Sequence, residues 1–584
     1  MVRYFLSARD PANHRLQVEA HFPHGGDFAF ASWAPGSYLM REFGRHARDV
    51  SASTPDGAGV AVQRLSRNEW RVVSDGPVTV RYEVYCREKS VRTPYVGEDL
   101  WFFLTSNVLI YDPTDVGATY QVELTVPQGF TAVCPLGEQH AFTAGHTPAR
   151  WHADTLDRLM DAPIAVAPFE HTAFDVDGVA HHHWIEPGHN GDLARMNVDL
   201  QRIVGAARDT VGAQHRGLPP LPYASYHFIT LHMARGHGGL EHNDCCVLLR
   251  PRLGFADPKG YEEFVTLAAH EHFHAWNVKR IRPDKLGPPF DYRREHYIRD
   301  LWWLEGGTVY YEERLAYRAG LVSQERHLAR MAELVRDLRS QPGRLHQSLE
   351  DSSFDAWIKL YRPTEDSRNS TISYYLKGAV VVWAMDLELL ARTDGKVGVD
   401  QLLAELWATW GSRDVGYPER EALFDIARRL AGEPHGGWER WWAHHVQGTG
   451  EVQIDEACAG AGLRLVPSGG GGPWFGMDVG PGERLVVTTV REDGPSAGVL
   501  SPGDELLAFD GERVLGADLT ERVRGFRVGQ TVTVLLSRDG RVLTRTLPVG
   551  LAPPTELKTE LNSAIQAHEQ RVRDAWLSTR SPPT

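Results

Sequence analysis

The hydrophobic period changes twice along this chain, and those two changes constrain the fold more than any single motif. Near the start, Leu16, Val18, Ala20 and Phe22 alternate with polar residues. So do Val78, Val80, Tyr82, Val84 and Cys86, and later Val122, Leu124 and Val126. Period-2 alternation marks half-buried strands, and turn residues such as Asp75-Gly76-Pro77 and Pro127-Gln128-Gly129 punctuate them. Residues 1–165 are therefore expected to form an all-β domain. From about residue 195 the period becomes helical. A strand over Tyr226–His232 precedes a glycine-rich bend at Gly236–Gly239, and Asp257-Pro258 offers an N-cap and first-turn proline for the helix that follows. Further helices are expected over Tyr297–Ala319, Ser323–Leu338, Tyr374–Leu390, Val399–Trp410 and Glu419–Ala431. Beyond Ser468–Pro473, a flexible linker by composition, strands return at Leu485–Val490, Glu505–Phe509 and Thr531–Leu536. The tail, Glu556–Leu577, spaces Leu557, Leu561, Ile565, Val572 and Trp576 for one face of a helix that docks on a neighbouring domain. A chain of 584 residues accommodates about three or four such modules.

Composition removes several function classes. With 62 Lys+Arg against 76 Asp+Glu, the net charge is −14, which argues against a nucleic-acid partner, since that needs a concentrated basic face. Five cysteines, with Cys245 and Cys246 adjacent, do not make a disulfide framework and are expected to be buried thiols in a reducing compartment. The apolar run Gly378–Met385 is far too short to span a membrane, and the first ten residues lack the apolar core of a secretory signal. A soluble, cytoplasmic protein without membrane or nucleic-acid partners is expected.

The sharpest chemical signal is His270-Glu271-His272-Phe273-His274. On a helix, residues i and i+4 share a face, so His270 and His274 can point at one metal ion. Glu271, about 100° around, can reach the attacking water instead. His272 points away and is not counted as a ligand. The chain has 27 histidines, so the spacing alone is not decisive. A second segment adds to it: Leu301-Trp302-Trp303-Leu304-Glu305-Gly306-Gly307-Thr308-Val309-Tyr310-Tyr311-Glu312. A carboxylate among aromatic residues is costly to bury unless something positive pairs with it, and a catalytic zinc needs three protein ligands. Glu305 fits as the third. Glu312, one heptad on, is expected to hold the far nitrogen of a ligating histidine. His181-His182-His183 lies in a strand pattern, Val179–Ile185, where neighbours face opposite ways, and is expected to be structural.

The residues His270–Glu271, His274-Ala275-Trp276 and Trp303-Leu304-Glu305-Gly306 resemble the gluzincin aminopeptidases, which share H-E-x-x-H-x-W and W-L-x-E-G. The interval from His274 to Glu305, residues 275–304, is longer than in the leukotriene-hydrolase-like branch. That interval, with Trp33-Ala34-Pro35-Gly36-Ser37-Tyr38 and a C-terminal PDZ module, is similar to the glycyl aminopeptidase family over essentially the whole chain. Gly238-Gly239-Leu240-Glu241-His242 resembles the G-x-M-E-N motif, with His242 in place of Asn. The resemblance implies that Glu241 grips the substrate's α-ammonium while Gly238 and Gly239 let its backbone approach. Tyr375-Leu376-Lys377-Gly378 matches Y-x-K-G, which implies that the Tyr375 hydroxyl, with Tyr374 as neighbouring rival, stabilises the oxyanion. Gly494–Gly511 resembles bacterial PDZ domains, with Trp474-Phe475-Gly476-Met477 as the carboxylate loop.

A multidomain α+β chain is therefore expected. It comprises an N-terminal β domain (1–165), a thermolysin-like α/β zinc peptidase domain with a helical lobe (166–465), a PDZ domain (473–550) and a C-terminal helical tail (551–584). The resemblance implies an aminopeptidase with one Zn²⁺ per chain on His270, His274 and Glu305, Glu271 as general base, and a preference for N-terminal glycine or alanine. Peptides with a free N-terminus are the expected partners, and a peptide C-terminus is the expected ligand of the PDZ groove. A PDZ-guided endopeptidase and a non-catalytic peptide-binding scaffold are the alternatives.

Overall fold

The computed structural model describes residues 1–115, 117–136, 141–143, 148–212, 216–433 and 436–579. In the N-terminal part the period-2 segments are strands, and their buried faces are the alternating ones. Arg15–Phe22 buries every second residue, as does Val78–Tyr85. These two pair antiparallel, and Val2–Ser7 lies between Arg15–Phe22 and, in parallel, Tyr120–Leu124. They belong to a seven-stranded sheet, beside which stand a six-stranded and a four-stranded sheet. A hairpin of the six-stranded sheet, Arg87–Ser90 with Thr93–Val96, carries its tip toward the next domain.

That next domain starts with a five-stranded sheet. Val179–Ile185, Ser225–Met233 and Cys245–Pro251 run parallel, and Gly238–Glu241 is added antiparallel as an edge strand. The parallel strands read as near-continuous buried runs because the sheet is covered on both faces. The helix Pro258–Phe273 follows. Asp257 caps it, its carboxylate accepting from the Gly260 N–H at 2.8 Å, and Pro258 occupies the first turn. Both His181 and His183 are buried, on Tyr223 and Thr230 respectively, which makes the triplet structural. All five cysteines are free and buried.

The helical lobe departs from expectation at its first element. Instead of one helix over Tyr297–Ala319, the chain enters a π-helical turn at Trp302–Gly306 and continues as an α-helix over Gly307–Arg318. Tyr297–Asp300 are held outside because the Arg299 N–H is taken by the Glu419 carboxylate, and the wide turn re-aims Glu305. Helix Tyr374–Arg392 crosses this turn at close range. A Cβ on Gly306 would lie 2.6 Å from the Gly378 Cα, and one on Gly378 would lie 2.5 Å from the Trp302 carbonyl oxygen. Two glycines let the element carrying Glu305 and the one carrying Tyr375 touch backbone to backbone.

The C-terminal part holds two corrections. Glu556–Leu577 is not one helix. Glu556–Leu561 is a strand paired antiparallel with Leu463–Ser468, and only Ala567–Trp576 is helical. The leucines at 557 and 561 fit either period, and the strand partner lies far away in sequence, so local spacing could not decide. The stretch read as a flexible linker, Ser468–Pro473, leaves the end of that two-stranded ribbon in an ordered bend, where the Gly471 N–H donates to the Ala552 carbonyl. The PDZ module, with its own apolar core around Phe475, Phe509 and Val534, hangs from the ribbon by both of its ends. The tail docks as expected. Trp576 is buried, stacks on Trp383 at 5.5 Å, donates to the Tyr310 hydroxyl, and its carbonyl accepts from Arg314.

Candidate active site

Helix Pro258–Phe273 carries His270 and Glu271, and His274 follows at its C-terminal cap. The two imidazoles converge. The Nδ1–H of His270 donates to Glu312 Oε2 at 2.6 Å, and that of His274 to the Asn277 carbonyl at 2.7 Å. Because both partners can only accept, each ring keeps a proton on Nδ1 and turns Nε2 inward, where a metal ion would take the place of any second proton. These Nε2 atoms lie 3.1 Å apart, and Glu305 Oε2 lies 3.8 and 3.3 Å from them. Asn277, whose amide donates to the carbonyls of Trp303 and Leu304, ties the histidine cap to the Glu305 turn. Two imidazole nitrogens and one carboxylate oxygen, all buried and orientated by partners on their far sides, suit zinc. Glu241, Glu271 and His274 form a second buried group of donor atoms. Its two carboxylates lack the tethered second imidazole, so the first group is the better metal cradle.

The electrostatics follow from this crowding. Burial drives the Glu271 carboxyl up to about 7 although His270 and His274 pull it down; Glu241 and Glu305 add to the rise. Burial works against Glu305 ionising too, but the two histidines overcome it and hold that carboxyl down at about 2. His272 faces the other way, its Nε2 2.6 Å from the Tyr223 hydroxyl, and burial keeps it neutral.

The edge strand Gly238–Glu241 runs beside these groups. Gly239 has no room for a side chain, because a Cβ there would overlap the Glu271 carboxylate. Glu241 is buried, and its Oε1 has no hydrogen-bond partner. His242 is turned away onto Asp161, 3.2 Å distant, in a cluster with Lys279 and Asn243. Tyr375 is half-buried and its hydroxyl lies 3.0 Å from that of Tyr361; Tyr374 is fully buried, 3.4 Å from the same hydroxyl.

Several residues at the site were not foreseen from the sequence. Tyr361 bridges the two tyrosines. Gly36, in the N-terminal domain, lies so close that a Cβ would be 2.6 Å from Glu241 Oε1, and Tyr38 feels the charges of Glu305 and Glu241. From the tip of the Arg87–Val96 hairpin, Arg92 donates to the Gly239 carbonyl at 3.3 Å. The W-A-P-G-S-Y stretch flags Gly36 and Tyr38 only by resemblance, and nothing local marks Tyr361 or Arg92.

The sequence matches the family model for the peptidase M61 N-terminal domain over residues 3–168, that for the M61 glycyl aminopeptidase over 263–381, and that for a PDZ domain over 461–549. No curated protein matched. Among solved structures, an aminopeptidase N family protein from Idiomarina loihiensis superposes with a TM-score of 0.90 at 24% identity, covering 99% of this chain and 100% of its own. An M1 zinc metallopeptidase from Deinococcus radiodurans is a looser likeness, with a TM-score of 0.49 at 16% identity over 78% of this chain and 94% of its own. The first of these speaks to the fold: the multidomain arrangement of β domain, helical catalytic region and PDZ domain.

Proposed function

We propose, from the premise that this chain belongs to the M61 glycyl aminopeptidase family, that it cleaves the first peptide bond of peptides with a free N-terminus and favours glycine or alanine there. The chain is a zinc-dependent aminopeptidase, and His270, His274 and Glu305 would hold one zinc ion per chain. A zinc ion bound there supplies Lewis-acid chemistry, polarising a carbonyl oxygen and making water reactive near neutral pH. The remaining steps belong to the protein's side chains. Glu271, buried beside the ligating histidines, takes the proton of the attacking water and returns it to the leaving amine. Tyr375 donates a hydrogen bond from its hydroxyl to the oxyanion, with Tyr361 fixing its direction. Glu312 and the Asn277 carbonyl keep the histidines in the tautomer that presents Nε2.

The observation that carries the exopeptidase reading is the position of Glu241. One of its oxygens, one of Glu271 and a ring nitrogen of His274 lie within 4.8 Å of one another. In a peptide, about 2.5 Å separates the α-nitrogen from the carbonyl carbon of the same residue. An ammonium held by Glu241 therefore presents the first carbonyl to Glu271 and leaves no length for residues upstream. Gly36 and Tyr38 closing on Glu241 support a small first side chain. A peptide C-terminus at the Trp474–Met477 loop of the PDZ domain, and a cytoplasmic setting that keeps the buried thiols reduced, complete the reading.

The test is a paired assay of free and N-acetylated alanyl peptides on the zinc-loaded protein, with metal content measured on the same preparation. We expect one zinc per chain and cleavage of the free peptide only. Glu241→Gln should lose about ten- to a hundredfold in kcat/KM on the free peptide, the value of a charge-assisted contact. Equal cleavage of both peptides by the wild type would make the protein an endopeptidase.

A further inference from the structure

Two guanidinium groups of the N-terminal domain stand half-buried, each with a buried Nε that has no hydrogen-bond partner. Arg92 sits at the tip of the Arg87–Val96 hairpin, where its N–H is fixed by the Ser90 hydroxyl and the adjacent Val91 packs with Leu240 in one apolar cluster. It spends one N–H on the Gly239 carbonyl, and its Nε, buried, has no partner. The Arg41 Nε is likewise buried and unpartnered, and Arg92 lies close enough to disfavour the Arg41 charge, on top of burial. Among the described residues neither forms an ion pair with a carboxylate. Burial opposes the Arg92 charge, but Tyr361, Tyr375, Glu241 and Glu271 outweigh it, and the unpartnered Nε leaves one edge of the guanidinium fork for an anion brought by the substrate.

The direction of the substrate says which anion. On the reading above, on which this inference rests, the α-ammonium lies at Glu241 and the scissile carbonyl beside Glu271. The peptide then runs back along the open edge of the strand, from Glu241 toward Gly238, at about 3.3 Å per residue. The group opposite Gly239 is the residue just after the scissile bond, and Arg92 stands there. We propose that Arg92 receives the C-terminal carboxylate of the substrate, so that this enzyme is tuned to dipeptides and acts as a terminal scavenger of short peptides rather than a trimmer of long chains. The planar fork of a guanidinium matches a carboxylate with two parallel hydrogen bonds. The cleft thus measures a peptide from both ends, an anion site on one domain facing a cation site on the other.

The experiment compares Ala-Ala and Gly-Ala with their C-terminal amides, on the zinc-loaded full chain and on its Arg92→Gln variant. The wild type should favour the free acids by tenfold or more in kcat/KM, mostly through KM. Arg92→Gln should lose at least tenfold more on the acids than on the amides, and an unchanged melting temperature reports that the variant is folded. Arg92→Lys should recover part of the acid preference. If Arg92 acts on the oxyanion instead, acids and amides fall together in kcat, and the proposal is overturned. It is equally overturned if the wild type cleaves acids and amides alike. The same four peptides are titrated calorimetrically into zinc-loaded Glu271→Gln with and without Arg92→Gln. An acid preference in binding that depends on Arg92, together with a zinc-loaded wild type that cleaves none of the four peptides, would uphold this inference and refute the aminopeptidase reading. Cleavage of free-amine peptides without any acid preference would do the reverse.

Discussion

The N-terminal β domain and the PDZ domain flank the same catalytic lobe, yet one is built into the site and the other rests against its outside. The first presses Gly36 onto Glu241 and Arg92 onto Gly239, with Tyr38 nearby, all at buried positions or close to them. The second meets the lobe through polar, largely exposed groups. Arg368 pairs with Asp478 at 2.8 Å, the Asn369 amide donates to the Val490 carbonyl and its oxygen accepts from the Glu492 N–H, and His346 reaches Glu492. The PDZ core forms its own cluster, whereas most of the N-terminal core is continuous with that of the lobe. Shared apolar core transmits position, and exposed ion pairs transmit little. The contrast separates a domain built into the cleft from one docked through polar contacts at the surface.

Three measurements would break or sharpen that contrast. Tyr375 sets the scale, because it begins a helix only a few residues after the Arg368–Asn369 segment that the PDZ domain grips. Tyr375→Phe should lower kcat by about 10²–10³ with little change in KM, the cost of one oxyanion donor. Tyr374→Phe, at a hydroxyl fully buried behind it, should stay within a few-fold, and the reverse pattern would move the role to Tyr374. Next in size is Gly36→Val. The residue has φ +79 and its Cβ would strike Glu241, so the displaced carboxylate should cost about ten- to a hundredfold in kcat/KM on a glycyl dipeptide. Normal turnover would mean that the N-terminal domain merely abuts the cleft. Smallest is Arg368→Ala, which removes an exposed ion pair worth about 0–1 kcal/mol. Turnover of dipeptides should change by less than about twofold and the melting temperature by a few degrees at most. A loss approaching that of Tyr375→Phe would show the PDZ domain coupled to the oxyanion donor, and the contrast would fall.

What could be read from the sequence was whatever lay within one or two helical turns. His270 and His274 share a helix face by spacing, and Glu305 stands out because a carboxylate among tryptophans needs a partner. The alternating strands of the first domain bury the faces that their period assigns. Residues that matter through distant contacts were invisible. Arg92 is one arginine among many until a hairpin tip carries it 147 positions along the chain to Gly239. Gly36 had meaning only through family resemblance. Glu556–Leu561 looks helical in the sequence because its leucines fit either period and its partner strand stands 88 positions away even where Ser468 bonds Glu556. The π-helical turn at Trp302–Gly306 was likewise hidden, since a widened turn leaves apolar spacing nearly unchanged.

The docking of Trp576 also orders events during synthesis. Its indole fills a place between Trp383 and Tyr310, and Arg314, one helical turn past Tyr310, holds its carbonyl. The helix Gly307–Arg318, which presents Glu312 to His270, stays incompletely packed until the ribosome has translated residue 576 and released it from the exit tunnel. By then the whole PDZ module has emerged and can fold on its own core. A nascent chain therefore completes the PDZ core before it completes the packing around Glu312 and His270.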